Sequence, residues 1–118
     1  NSYEEINSDA RALLLPNWQI ADISLERPDL LINVHSFGEM SYENIESYFH
    51  EIEPLQPESF YHCNLNSPRN DGSSYLLASD YPRLKGYRMI TSNESRWPRY
   101  SSYYDSPYPC REFLFQRV

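Results

Sequence analysis

The stretch Asp29-Leu-Leu-Ile-Asn-Val-His-Ser-Phe-Gly-Glu-Met40 decides the fold, because an apolar run ends there abruptly in a polar cluster. Four of the five residues from Leu30 to Val34 are apolar, which is typical of a parallel strand that is covered on both faces. We therefore predict a buried central strand over 29–35. In open α/β sheets ligands bind beyond the carboxyl ends of the strands, so the polar residues at this end form the predicted site.

An amphipathic helix is predicted directly after this strand. Ser41 is a suitable N-cap, and the apolar residues that follow recur at i, i+3, i+4 and i+7. These residues are Ile45, Tyr48, Phe49 and Ile52. Pro54 and Pro57 prevent the helix from continuing, and residues 59–64 have the composition of a second strand. Strand, helix and strand together predict a right-handed βαβ unit.

Three further strands are expected elsewhere in the chain. Residues 11–15 form a short apolar run that must stop at Pro16, since proline lacks the N–H that a central strand needs. Residues 86–92 and 111–118 are expected to pair as antiparallel neighbours. The run 66–74 is rich in turn-forming residues and predicts a surface loop.

Length and composition exclude several classes of protein. The 118 residues suit one domain, and a net charge of −7 gives no electrostatic reason to bind nucleic acid. No apolar run approaches the roughly 20 residues that span a membrane, and residues 1–9 do not resemble a signal peptide, so we expect a soluble, cytoplasmic protein. Cys63 and Cys110 lack zinc-ligand spacing and are interpreted as reduced, structural thiols.

A specific ordered series runs through the chain. It consists of Asn33-Val-His-Ser-Phe-Gly-Glu-Met40, Tyr48-Phe49, Tyr61-His-Cys-Asn64 and a final Arg111-Glu-x-Leu segment. This series resembles the sugar O-methyltransferases, which are similar to the class I, Rossmann-like methyltransferases that use S-adenosylmethionine. The resemblance covers about residues 11 to 118.

The resemblance implies an α/β fold: a partial Rossmann-like methyltransferase sheet, mostly parallel, with an antiparallel strand pair at the C-terminal edge. Residues 11–15, 29–35 and 59–64 would be its third, fourth and fifth strands. The first strands and the glycine-rich cofactor loop would precede residue 1, so residues 1–118 would form only the C-terminal half of the domain. Strand 29–35 would then expose an apolar edge, for which the missing N-terminal half or a second copy is the expected partner.

The resemblance and the residue types together nominate a site. His35 is a candidate base because its ordinary pKa near 6.5 lets it accept a proton from a sugar hydroxyl. Glu39 is the second candidate base, although a glutamate there also stabilises a helix start. The candidate acceptor-binding residues are Asn33, Ser36, His62, Asn64 and Tyr103. By resemblance, Asn17 and Trp18 would contact the cofactor, and each residue also has an ordinary structural interpretation.

The predicted function is the acceptor-side part of an S-adenosylmethionine-dependent sugar O-methyltransferase that acts on a sugar hydroxyl. Such a fragment is expected to bind the cofactor weakly or not at all when alone, and its reaction needs no metal. The alternative is a non-catalytic methyltransferase-like module that binds a glycan or a protein through its tyrosine-rich loop. An acid-pair glycosidase is a third possibility, but no two carboxylates stand out as a matched pair.

Overall fold

The computed structural model describes residues 27–66, 77–95 and 110–118. The helices and strands of these ranges are β1 (Leu30–Val34), α1 (Tyr42–Ile52), β2 (Ser59–Leu65), β3 (Tyr87–Glu94) and β4 (Cys110–Arg117). Three short 3-10 helices lie at Phe37–Glu39, Glu53–Leu55 and Ala78–Asp80. The predicted strand at 11–15, nearly all of the predicted loop at 66–74, and the candidate residues Asn17, Trp18 and Tyr103 lie outside the described residues.

The predicted helix is confirmed together with its cap. The Ser41 hydroxyl accepts a hydrogen bond from the Asn44 backbone N–H at 3.3 Å, which satisfies one of the free donors of the first turn. Ile45, Phe49 and Ile52 are buried along one face of α1. The helix is thus fixed at its start by a polar cap and along its length by apolar packing on the sheet.

The four strands form one mixed sheet in the order β1-β2-β4-β3. β1 pairs with β2 in parallel, whereas β2–β4 and β3–β4 are antiparallel. The α/β class and the antiparallel pair formed by the last two strands are therefore confirmed. A mostly parallel sheet is not confirmed, because only one of the three pairs in the described part of the chain is parallel.

The prediction that β1 is a buried central strand is wrong. β1 has one strand neighbour in the described sheet, and Leu30, Ile32 and Val34 are 49%, 60% and 48% exposed. Leu31 lies beside the buried Phe60 in the register and packs against the core, on the side of α1. Because side chains alternate along a strand, Leu30, Ile32 and Val34 lie on the face of the sheet opposite α1. A run of apolar residues does not report whether both faces of its strand are covered.

The core lies between α1 and the sheet and is rich in aromatic rings, with Ile45, Ile52, Ala78 and Leu84 buried among them. Its rings belong to Phe37, Phe49, Phe60, His62, Tyr81, Phe113 and Phe115. Phe49 of α1 meets Phe60 of β2 edge to face at 5.6 Å, an arrangement that aromatic pairs favour. Within the described ranges, no helix is long and apolar enough to cross a membrane.

Candidate functional site

The candidate site begins where β1 ends, at a sharp change of backbone direction. His35 adopts the left-handed conformation, with φ of 60°, and its N–H donates to the Cys63 carbonyl at 2.9 Å. The 3-10 helix Phe37–Glu39 follows at once, and Phe37 is buried in the aromatic core. A non-glycine residue with positive φ is uncommon and has to be held by its surroundings. The loop after β1 is therefore fixed at both of its ends.

An amide network holds the turn together on the side of α1. The Asn64 side-chain amide donates to the Asn33 side-chain oxygen at 3.1 Å, and the Asn33 amide donates in turn to the Ser36 hydroxyl. The backbone N–H of Gly38 donates to the Asn64 side-chain oxygen at 3.3 Å. Asn64 is completely buried, so an unpaired amide there would be costly.

Three of the predicted acceptor-binding residues, Asn33, Ser36 and Asn64, are thus brought together, as their positions at adjacent strand ends lead one to expect. They bond to one another, and the network ties the loop after β1 to the end of β2. We conclude that this group determines the shape of the loop and in that way sets where the residues on it lie.

The His35 side chain lies against a different partner, Cys110. Its Nε2 is 3.3 Å from the Cys110 sulfur. Cys110 pairs with Leu65 in the β2–β4 register, and side chains alternate along β2, so Cys110 shares the face opposite α1 with Tyr61 and Cys63. The imidazole therefore contacts the opposite face of the sheet from the amide network, although His35 and Asn33 are only two residues apart.

The Cys110 thiol is protonated near neutral pH. Burial, and secondarily the nearby Cys63, raise the pKa of Cys110 above its ordinary value. A protonated, buried thiol is a poor nucleophile. We therefore interpret Cys110 as a contact that orients the His35 ring. The two residues are 75 positions apart in the sequence, and no local pattern predicts their contact.

A second polar pair lies on the same face. The Tyr61 hydroxyl donates to a carboxylate oxygen of Glu112 at 3.1 Å. Burial, then Cys63 and Glu112, raise the pKa of Tyr61, which keeps the phenol neutral and able to donate. The face opposite α1 thus carries the two thiols, an imidazole and a phenol–carboxylate pair, which we call the thiol face (His35, Tyr61, Cys63, Cys110 and Glu112).

The two other predicted residues have contrasting environments. Glu39 is exposed at the end of the 3-10 helix after β1, so its carboxylate is accessible from solvent. His62 is only 1% exposed and stacks on Phe113 with ring centres 4.8 Å apart. Burial lowers the pKa of His62 to about 4, so the ring is neutral at pH 7. The structure places His62 in the core, where a ligand would have to displace aromatic packing to reach it.

In the ranges that the structure describes, no group of three or more histidine, cysteine, aspartate or glutamate side chains is arranged to hold a metal ion. At the end of β1 the Glu39 carboxylate is exposed and the His35 imidazole is partly buried. Both can accept a proton from a hydroxyl group.

In comparisons with known proteins, no protein-family model matches the chain, and no curated protein matches it.

Proposed function

We propose that this chain is the acceptor-side part of an S-adenosylmethionine-dependent sugar O-methyltransferase. The proposal is supported by the sheet: β1 and β2 are parallel and joined through α1, and an antiparallel pair lies beyond β2. The resemblance implies the same arrangement for the fourth and fifth strands and the C-terminal edge. The finer assignment to a Rossmann-like methyltransferase sheet is part of this proposal.

The loop after β1 carries the proposed acceptor chemistry. Glu39 acts as the base that accepts the proton of the sugar hydroxyl, because its carboxylate is exposed while the backbone beneath it is held by Phe37 and Asn64. Proton transfer by a well-placed side chain contributes about 10²- to 10⁴-fold in rate. His35 is the second candidate base, and its contact with Cys110 fixes the orientation of the ring.

This chain contains no glycine-rich cofactor loop. A cofactor loop of the Rossmann kind needs closely spaced glycines, and the three glycines here, Gly38, Gly72 and Gly86, are far apart. The proposed role of the chain is therefore confined to holding the acceptor and receiving its proton. Upstream residues of a longer protein would hold the cofactor.

The test compares the 118-residue chain with a longer product that includes the residues encoded upstream of it. Each protein is titrated with S-adenosylmethionine by calorimetry and then assayed for transfer of a labelled methyl group to a panel of sugars. We expect binding and transfer for the longer protein, and for the 118-residue chain weak or no binding and no transfer. Glu39→Gln in the longer protein should lower kcat by about 10²-fold or more.

Glu46→Gln is the matched control, because Glu46 is an exposed glutamate on α1. It should leave kcat and KM unchanged. A longer protein that folds but shows no affinity for the cofactor would overturn the proposal. Quenching of its tyrosine fluorescence by sugars in that case would favour the non-catalytic glycan-binding module.

A further inference from the structure

His62 is a buried titratable side chain that the proposed function does not use. It is 1% exposed, and its Nδ1 has no hydrogen-bond partner in the ranges that the structure describes. Its ring contacts aromatic rings of the loop after β1, of β2, of β4 and of the segment that follows the last 3-10 helix. These rings belong to Phe37, Phe60, Tyr81, Phe113 and Phe115.

The groups that face His62 from the described elements offer no negative charge to a protonated imidazole. Asn33 of β1 lies beside it in the register and has an uncharged amide. The side chains that α1 buries are apolar, and the ionisable ring partner of His62 is the phenol of Tyr81. A proton on His62 would therefore be buried without water or a carboxylate to stabilise it, which is costly.

His62 and Asn64 both hold the loop that carries Glu39. They lie two residues apart on β2 and so point to the same face of the sheet. Asn64 accepts the backbone N–H of Gly38, and His62 contacts the ring of Phe37 with ring centres 6.4 Å apart. Phe37 is 2% exposed and begins the 3-10 helix that ends at Glu39. The position of Glu39 thus depends on the packing around His62.

Of the phenylalanine rings around His62, that of Phe37 can move at the lowest cost. The other phenylalanines belong to β2 and β4, and each of these strands is paired on both sides. Phe37 belongs to a 3-10 helix of three residues that comes shortly after the left-handed residue His35. Short segments of this kind open with a smaller free energy than paired strands do.

We propose that His62 is a pH-dependent switch for the loop after β1: the neutral ring packs against Phe37 and keeps Glu39 in place, and the protonated ring displaces Phe37 and opens the loop. Opening lets water reach the imidazolium. Burial lowers the pKa of His62 to about 4 in the closed form, from an ordinary value of 6.5 that the hydrated ring regains. Between pH 7.5 and pH 5.5 this difference favours the open loop by about ten-fold.

The consequence for catalysis rests on the proposed function, because an open loop would no longer hold Glu39 against a sugar hydroxyl. The opening itself does not depend on that function. It is measured without cofactor or sugar, so a failure of the switch and a failure of methyl transfer are distinguishable.

The experiment measures amide hydrogen exchange of the 118-residue chain by NMR at pH 7.5 and 5.5, both above its isoelectric point of about 4.8. The reporting amides are those of Gly38 and Met40, which donate to the Asn64 side chain and to the Phe37 carbonyl. Their protection factors, which correct for the intrinsic effect of pH on exchange, should fall about ten-fold at pH 5.5. They should also be lower than those of β2 and β4 at both pH values, because the loop opens without global unfolding.

Two variants remove the proposed switch. His62→Phe and His62→Leu should each abolish the ten-fold fall, since neither side chain can be protonated, and circular dichroism shows whether each is folded. The matched control is His50→Gln, because His50 is exposed on α1. His35→Asn is a second control, since His35 lies on the loop itself and asparagine tolerates its left-handed backbone. Both controls should keep the fall.

Three results would overturn the proposal. The first is protection of Gly38 and Met40 in the parent chain that does not change with pH. The second is a fall that persists in the His62 variants or disappears in either control. The third is exchange of the loop amides at the same rate, and with the same dependence on urea, as the amides of β2 and β4, which would mean that only global unfolding exposes them.

Discussion

The two faces of the sheet differ in chemistry although the same strands build both. Along β2, Phe60 and His62 point toward α1 and are surrounded by aromatic rings. Tyr61 and Cys63, which alternate with them, point to the thiol face. That face bonds through hydroxyl, carboxylate and imidazole groups, and at β1 it leaves aliphatic side chains exposed.

The comparison shows that packing and reactive groups are separated by strand alternation. The aromatic face holds the sheet against α1 by burying large rings, which is the main favourable contribution to folding. The thiol face contributes fewer buried apolar groups and carries most of the titratable side chains near the end of β1. Substitutions on the two faces are therefore expected to differ in size and in pH dependence.

The largest difference is expected for Phe60→Ala. Phe60 is 1% exposed and packs against Phe49, His62 and Phe115, so its removal leaves a cavity. We expect the free energy of unfolding to fall by about 3–5 kcal/mol. Urea denaturation followed by circular dichroism measures the change. Ile32→Ala on the other face should cost less than about 1 kcal/mol, because most of that side chain is already exposed. Equal losses for both variants would contradict the comparison.

His62 should make the aromatic face sensitive to acid. Its pKa is lowered from 6.5 to about 4 in the folded protein, so the unfolded chain binds the proton more tightly. The stability that depends on a neutral His62 is therefore complete above pH 6.5 and is lost as the pH falls toward 4. We expect a loss of about 3 kcal/mol between pH 7 and pH 4 from this residue. Denaturation midpoints measured across this range give the slope.

The His62→Phe variant isolates this contribution from that of the other titrating groups. It keeps a ring among Phe37, Phe113 and Phe115 but has no nitrogen to protonate. The difference in unfolding free energy between variant and parent should grow as the pH falls from 6.5 to 4. A difference that stays constant with pH would show that burial does not lower the pKa of His62.

A small effect is expected on the thiol face for Tyr61→Phe. This change removes the hydroxyl that donates to Glu112 and keeps the ring. A partly exposed hydrogen bond of this kind contributes about 1 kcal/mol. Because the pKa of Tyr61 is raised, the bond should persist to alkaline pH, and ultraviolet titration of the phenol in the parent protein should show a delayed transition. An ordinary phenol transition would mean that the hydroxyl is not buried against Glu112.

Much of the fold could be predicted because local patterns determine it. The cap at Ser41 and the helical spacing of Ile45, Phe49 and Ile52 depend on neighbouring residues alone, and they give the bounds of α1 closely. The strands β2 and β4 likewise show in the sequence the aromatic residues that strands favour, Phe60 and Tyr61 in one and Phe113 and Phe115 in the other. The antiparallel pairing of β3 with β4 was the simplest arrangement of two neighbouring strands and is confirmed.

The remaining features depend on contacts between distant parts of the chain. Whether the outer face of β1 is covered is decided by what packs there, so the run Leu30–Val34 wrongly predicted burial on both faces. The grouping of Asn33 with Asn64 followed from the expected parallel strand ends, but their mutual hydrogen bonds did not. The contact of His35 with Cys110 accompanies a left-handed backbone conformation at His35, a position that is not occupied by the glycine that most often indicates one.

The strand order also has a consequence for biosynthesis. β4 follows β3 in the sequence but lies between β2 and β3 in the sheet. A ribosome completes β1, α1 and β2 first, and these can associate as soon as they emerge. β3 is synthesised next, and its pairing partner in the described sheet is β4. Until β4 has been added, β3 is unpaired and its side chains Met89 and Ile90 are exposed to solvent. This interval is the period in which a chaperone would protect the nascent chain from aggregation.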